Sequence, residues 1–218
     1  MHHRARSAVV SAMSVKTLAT LATLAVGLLA ACDSLERVER RNDDGVLVER
    51  YSRDPVDSTR SGPYEAYGDD GELIEEATYV ADRLHGERTL YHPNGAVQYV
   101  ETYRDGQYHG PYLSYYPDGT LQLEGQYVDN VASGVWTGYY PSGERKEAVT
   151  FADNEENGPF TEWYSNGAIK AEGTYAGGDK EQGELLLYNL DGDVQKRMFC
   201  EAGICRTIWE ASTAANDE

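Results

Sequence analysis

The sequence predicts an all-β protein built from repeated antiparallel β-hairpins. Tyr contributes 17 and Gly 22 of the 218 residues, whereas Phe and Met contribute only 3 each. Aromatic side chains suit a pleated, half-buried surface, and glycine suits turns. In addition, glycines recur at a spacing of 24 residues, and several turns read Pro-Asn-Gly, Pro-Asp-Gly or Pro-Ser-Gly. A strand, a turn and a second strand therefore form the repeating unit.

Residues 1–31 are predicted to be a bacterial lipoprotein signal peptide. Residues 18–31 form an apolar run of 14 residues after Lys16, which is too short to span a bilayer but suits the apolar region of a secretory signal. The run ends in Leu-Ala-Ala before Cys32, which resembles the lipobox of bacterial lipoproteins. This resemblance implies that Cys32 carries diacylglycerol and a further acyl chain such as palmitate. The mature protein is then expected to be anchored in the bacterial cell envelope, facing the periplasm or the exterior.

Residues 32–61 are predicted to comprise the acylated Cys32 and a charged tether. The segment is rich in charged residues and poor in apolar ones, a composition typical of a spacer that holds a domain away from a membrane. Alternatively, residues 43–48 pair as an extra edge strand. At the other end of the chain, residues 206–218 are predicted to be a tail.

Residues 62–205 are predicted to form six hairpin repeats of 24 residues. Each copy is numbered from an opening glycine at position zero. A second glycine lies at position nine, an aromatic residue at position five and, in the first five copies, another aromatic residue at position seventeen. The opening glycines are Gly62, Gly86, Gly110, Gly134, Gly158 and Gly183.

The turn chemistry predicts the register of each hairpin. In the turn at residues 92–95, Pro fixes φ at about −65° and Gly accepts a left-handed conformation, as in a type I turn followed by a G1 bulge. This turn places position five opposite position eleven, so that Tyr91 faces Val97. One copy differs, because Tyr139 faces Arg145, whose guanidinium is predicted to lie over the tyrosine ring.

Alternation of side chains along a strand predicts the face on which each position lies. Counting in steps of two puts position seventeen on the same face as position eleven. Positions five, eleven and seventeen are therefore predicted to form the core, and positions two and six the opposite face. The aromatic residues predicted to bind a partner on that face are Tyr112, Trp136, Phe160, Tyr116, Tyr140 and Tyr164.

The pattern is clearest in residues 109–119, His-Gly-Pro-Tyr-Leu-Ser-Tyr-Tyr-Pro-Asp-Gly, with Tyr127 after them. It resembles the variant MORN (membrane occupation and recognition nexus) repeat, and the resemblance covers residues 62–205. Bacterial proteins of this kind are often assigned to the YwqK-type antitoxin family of toxin–antitoxin systems. The resemblance implies an elongated hairpin solenoid that binds a partner and does not catalyse a reaction.

No residue pattern indicates a catalytic site or a cofactor. The sequence lacks a Gly-x-Ser-x-Gly elbow, which an α/β-hydrolase nucleophile requires. The recurring Glu76, Glu124 and Glu172 are interpreted as a solvated stripe, because glycosidase carboxylates require a cleft and one raised pKa. His85 and His109 each precede an opening glycine, where other copies have Ser, Asn or Gln, and are predicted to serve the loop.

No metal site is predicted either. The acidic turns at residues 69–71 and 191–193 could offer oxygen ligands to Ca²⁺, but Asp-Gly is already favoured in hairpin turns. Cys200 and Cys205 supply two of the four ligands of a structural zinc site, and no histidine follows His109. In an oxidising compartment these two cysteines are predicted to form a disulfide that closes the last hairpin.

Net charge separates the partner classes. The chain has 37 acidic and 19 basic residues, for a net charge of −18, so nucleic acids and anionic membrane surfaces are not expected as partners. Contact with a membrane is expected through Cys32 only. The sequence predicts a non-catalytic binding or scaffold protein that holds an envelope protein through a Tyr-rich acidic surface. The alternatives are a glycan or peptidoglycan-binding module, an antitoxin or immunity-type protein that neutralises a toxin, and a hydrolase with a site hidden in the repeats.

Overall fold

The computed structural model describes residues 35–212, which form sixteen β-strands and contain no helix. Within this range there is accordingly no helix long and apolar enough to cross a bilayer. In chain order the strands are β1 (Glu36–Arg41), β2 (Leu47–Arg53), β3 (Arg60–Tyr67), β4 (Leu73–Val80), β5 (Arg83–Leu84), β6 (Gly86–Tyr91), β7 (Val97–Arg104), β8 (Gln107–Tyr115), β9 (Leu121–Val128), β10 (Val131–Tyr139), β11 (Arg145–Ala152), β12 (Glu155–Trp163), β13 (Ile169–Tyr175), β14 (Gly183–Tyr188), β15 (Val194–Glu201) and β16 (Ile204–Glu210).

All sixteen strands belong to one open antiparallel sheet, which confirms the predicted all-β class of stacked hairpins. They follow one another across the sheet in chain order, and the two-residue β5 pairs with β4 beside β6. The predicted register is also confirmed in every copy. The pairs of positions five and eleven are Tyr67 with Leu73, Tyr91 with Val97, Tyr115 with Leu121, Tyr139 with Arg145, Trp163 with Ile169, and Tyr188 with Val194.

Two kinds of turn alternate along the chain. The predicted Pro-containing turn joins the two strands of a copy; in the second copy the Gly95 amide donates to the His92 carbonyl oxygen at 2.8 Å, and the φ of Gly95 is 81°. A two-residue turn joins most copies to the next. In one of these, Asp129 and Asn130 have φ values of 50° and 68°, a geometry typical of the type I′ turn, which favours Asp, Asn and Gly.

A β-bulge in each copy reverses the faces predicted for the aromatic residues. Tyr91 pairs with Val97 but Leu90 pairs with Tyr99, so Gln98 is an extra residue and alternation cannot be counted across it. The same shift occurs in all six copies. Positions two, four, thirteen, fifteen and seventeen therefore share one face, here called the core face, and positions five and eleven lie on the other, the outer face. The prediction of a common core from positions five, eleven and seventeen is wrong.

The core face carries the residues that the sheet buries most. Ring pairs between positions two and seventeen follow one another along it, as in Trp136 with Phe151 at 5.9 Å and Phe160 with Tyr175 at 4.2 Å between centroids. A Cβ atom added to Gly125, at position fifteen, would lie 2.1 Å from the Trp136 ring, so that glycine is required for the ring to pack on the sheet. The buried residues are Ala77, Glu101, Tyr103, Ser114, Ala132, Trp136, Phe160, Ala171 and Cys200.

Residues 36–53 form β1 and β2, so this part of the predicted tether is instead the first hairpin of the sheet. Opposite charges face each other across it, with Arg40 and Glu49 at 2.8 Å and Arg53 and Glu36 at 2.8 Å. The charge content reflects cross-strand pairing and not a spacer. At the other end, the tail predicted from residue 206 begins inside β16.

The arginine of the exceptional copy does not lie over the ring predicted for it. The Arg145 guanidinium lies 5.4 Å from the ring centroid of Trp163, in the next copy. The Tyr139 hydroxyl donates instead to the Glu124 carboxylate at 2.6 Å. Cross-strand register thus brought the two residues opposite each other, but their side chains pair with neighbouring hairpins.

Hydrogen bonds at both ends of the strands connect neighbouring hairpins. At one end, Asn130 Oδ1 accepts from the Tyr108 amide at 2.8 Å, and Asn154 Oδ1 accepts from the Ala132 amide at 2.7 Å. At the other end, position-six tyrosines donate to the carbonyl oxygen of position five in the next copy. These bonds run from Tyr116 to Tyr139, from Tyr140 to Trp163 and from Tyr164 to Tyr188, each at 2.8 Å.

The last hairpin holds the disulfide between Cys200 and Cys205, which face each other in β15 and β16 with their Cα atoms 4.0 Å apart. Cys200 is fully buried and occupies position seventeen, where the other copies have an aromatic ring. The bond thus fixes β16 to the sheet at the point where the series of core aromatics ends.

Candidate binding groove

A groove opens on the core face where position four carries a small residue. Ser114 and Gly138 occupy this position in the two middle copies, and both are buried as the floor of the groove. Position four is larger in most other copies. The residues there are Ala66, Leu90, Glu162 and Leu187.

The groove consists of two adjoining hollows of about 310 and 170 Å³. Leu123, Gly138 and Glu147 line both of them. The hollows together are here called the middle groove. Its aromatic walls and outer acidic residue are Tyr99 and Tyr112 in the larger hollow, and Trp136, Phe151 and Glu156 in the smaller one.

The two tyrosines give the groove an amphipathic wall. Their ring centroids are 6.1 Å apart and their planes are inclined by 44°. Burial, followed by the proximity of Tyr99 and Glu101, raises the pKa of Tyr112 to about 12. The Tyr112 phenol therefore stays neutral at physiological pH, and the wall combines apolar ring surface with polar hydroxyl tips.

The floor and far wall of the groove are acidic. The Glu147 side chain is 42% exposed and lies 3.5 Å from the Lys146 ammonium. Burial raises the pKa of the Glu156 carboxyl, and the nearby Asp179 and Glu147 raise it further. An occupant that brings a cation would relieve the repulsion between these carboxylates.

A buried ionic cluster lies beside the groove. Arg88 Nε donates to Glu75 at 2.7 Å and its Nη1 to Glu101 at 3.1 Å, while the hydroxyls of Tyr103 and Tyr108 donate to Glu101 at 2.9 and 3.2 Å. The hydrogen bond to Glu75, which outweighs desolvation, raises the pKa of Arg88 above its ordinary value. Because each charge has a partner, the cluster supports the wall of the groove and offers no free group to a ligand.

The six residues predicted to bind a partner fall into three groups. Trp136 and Phe160 are 8% and 5% exposed, so their predicted exposure is wrong, since the bulge returns position two to the core face. Tyr112 and Tyr116 line the larger hollow. Tyr140 and Tyr164 use their hydroxyls to connect neighbouring hairpins, as Tyr116 also does. Cys32, the predicted lipidation residue, lies outside the described residues.

The histidines and acidic turns are placed at the strand ends. His109 Nδ1 lies 3.1 Å from the Asp129 carboxylate, and His85 Nδ1 lies 3.7 Å from that of Asp105, on the turn that follows in each case. Between residues 35 and 212, no three His, Cys, Asp or Glu side chains converge in a way that could hold a metal ion.

The sequence contained an indication of the groove that was not used. A comparison of position four across the six copies shows that only the adjacent third and fourth copies have Ser or Gly. Two small residues on neighbouring hairpins at one level of a sheet predict a depression there. This comparison requires the correct assignment of faces, which the bulge obscured.

A family model described as a MORN repeat variant matches residues 84–105, 108–129 and 156–176. The predicted resemblance to variant MORN repeats is confirmed at these three places, and each match begins close after a turn between copies. Repeats of this kind are typical of binding and scaffold proteins and are generally non-catalytic. No curated protein sequence matches the chain.

Proposed function

We propose that the chain is a lipid-anchored, extracytoplasmic binding protein without catalytic activity, which holds a protein partner in the middle groove. The observation that carries the proposal is the depression at Ser114 and Gly138, which interrupts an otherwise filled core face. Aromatic residues surround the depression, and Tyr and Trp are enriched at protein interfaces.

The chemistry of the groove favours a partner segment that carries a basic side chain. Tyr99 and Tyr112 present rings over which a guanidinium or ammonium group can lie. Glu147 and Glu156 add negative charge at the floor and far wall, and the net charge of −18 attracts a basic surface from a distance. The interface is thus expected to be electrostatically complementary.

Filling the groove should abolish capture of the partner. Gly138→Leu introduces at position four the side chain that Leu90 and Leu187 already have there, and its Cβ would approach only the flexible Glu147 side chain at 3.0 Å. The adjacent Thr137→Leu is the matched control, because position three lies on the outer face and is already Leu in two other copies. Both variants should keep the melting temperature of the unaltered chain.

The measurement is capture from detergent-solubilised envelope with the tagged full chain as bait. We expect the protein partner to survive muramidase treatment, to bind the Thr137→Leu variant and to be lost with Gly138→Leu. Equal capture by both variants would exclude the middle groove. Loss of all capture after muramidase would favour the peptidoglycan-binding alternative, since the attachment would then depend on glycan.

The proposed anchor has a separate test at Cys32. Cys32→Ser should move the protein from the detergent phase to the aqueous phase, or leave it unprocessed, because the thioether can no longer form and acyl chains contribute about 0.8 kcal/mol per buried methylene. A double variant, Cys200→Ser with Cys205→Ser, controls for the loss of cysteine and should partition as the unaltered protein does. If Cys32→Ser still partitions into detergent, the anchor lies elsewhere.

A further inference from the structure

The two edges of the sheet differ in how they face solvent. At one edge, five of the six residues of β1 are charged, and charged side chains discourage a further strand from pairing. At the other edge, β16 has the sequence Ile-Cys-Arg-Thr-Ile-Trp-Glu. Its large apolar residues are exposed: Ile204 by 80%, Ile208 by 57% and Trp209 by 46%.

The outer side of β16 has no neighbouring strand among the described residues. In every interior copy, the next hairpin takes up the backbone amides and carbonyls of the preceding strand. Repeat arrays usually end in a polar capping unit for this reason. β1 meets that description, whereas β16 leaves backbone groups and apolar side chains available together.

A bulge gathers the apolar residues of β16 on the outer face. Thr207 pairs with Met198 and Trp209 with Arg197, which leaves Ile208 as the extra residue. A shallow hollow of about 390 Å³ lies between Ile208, Trp209, Arg197 and Val194. The edge therefore offers an apolar surface together with a cationic group.

Charge identifies the edge as the place where two copies of this chain can meet. Residues 62–193 carry 25 acidic and 7 basic side chains, so two copies repel each other along most of the sheet. Residues 194–212 carry 2 acidic and 3 basic side chains. Because each copy brings both Arg206 and Glu210 on the edge strand, two such edges are complementary to each other.

We propose that β16 pairs with β16 of a second copy across a twofold axis perpendicular to the sheet. Such an axis makes the two edge strands antiparallel, so their free backbone groups can pair and the two sheets become continuous. The exposed Ile204, Ile208 and Trp209 of both copies are covered in the same step. This dimer is independent of what the middle groove binds.

The mass of the full chain in solution tests the proposal. Light scattering with the detergent contribution subtracted, at about 1 to 100 μM protein, should give twice the chain mass at the upper end of this range. Ile208→Lys and Ile204→Lys should each raise the dissociation constant by at least about tenfold, because the lysines would bring charge into an apolar contact. Val135→Lys is the matched control, since Val135 is 58% exposed, in a middle copy.

Two results would overturn the dimer. The first is a monomer at all concentrations for the unaltered chain. The second is a dimer that persists in both edge variants, or that is lost equally in the Val135→Lys control. Circular dichroism of each variant verifies that the sheet is intact, and Ile204→Lys serves where Ile208→Lys disturbs the bulge, because Ile204 is the more exposed residue.

Discussion

Replacing Trp136 with Ala should destabilise the protein by about 3 to 5 kcal/mol, the usual cost of truncating a buried aromatic residue. Trp136 is 8% exposed and lies between the rings of Tyr112, Tyr127 and Phe151, at centroid distances of 5.1 to 5.9 Å. Because Gly125 below it has no side chain to fill the space, the cavity would remain open. Urea unfolding followed by circular dichroism measures the loss.

Trp163→Ala is the matched control for this substitution. Trp163 occupies position five on the outer face, where it faces Ile169 and is only half-buried. Its removal should cost about 1 to 2 kcal/mol, because less apolar area returns to water. Losses of equal size would show that the two faces of the sheet contribute equally to stability, contrary to the assignment of the core face.

Replacing Arg88 with Leu should destabilise the protein by about 3 to 5 kcal/mol, because Glu101 would be left buried without its cation. The Glu101 side chain is 8% exposed and that of Arg88 24%. The last copy shows how the same two positions can be apolar, since Leu185 faces Met198 there.

The double variant Arg88→Leu with Glu101→Met reproduces that apolar pair in the second copy. It should recover most of the stability lost in the single variant, since replacing both members of a buried ion pair is often close to neutral. Thermal unfolding of the single and double variants gives the comparison. If the double variant is as unstable as Arg88→Leu, the loss comes from packing of the arginine stem or from Glu75, and not from an unpaired Glu101.

The sequence alone predicts those parts of the fold that depend on neighbouring residues. The Pro-Asn-Gly turn at residues 93–95 defines where a hairpin reverses, and the spacing of the glycines repeats that information six times. The register of Tyr91 with Val97 follows directly. These features are local, so no knowledge of tertiary packing was required.

The assignment of faces failed because the bulge has no marker in the sequence. Position twelve, the extra residue, is Ile74 in one copy, Gln98 in another and Lys146 in a third. None of these residue types signals a bulge. The exposure of Trp136 and the location of the groove both depended on this one residue, so one error in counting changed the predicted binding surface.

The first hairpin was missed for a different reason. Composition described residues 36–53 as a spacer, but the charges of Arg40 and Glu49 are arranged to meet across strands. Such pairing is visible only when the register is known. The alternative of an extra strand at residues 43–48 was closer, since β2 begins at Leu47.

The hydrogen bonds at the two ends of the strands have a consequence for how the chain folds. They join residues only 22 to 24 apart in sequence, such as Tyr108 with Asn130 and Tyr164 with Tyr188. Closing loops of this length costs little entropy, and low contact order favours rapid folding. Folding can nucleate at any copy and spread to its neighbours. A chain that emerges amino terminus first can thus add one hairpin at a time, without waiting for its far end.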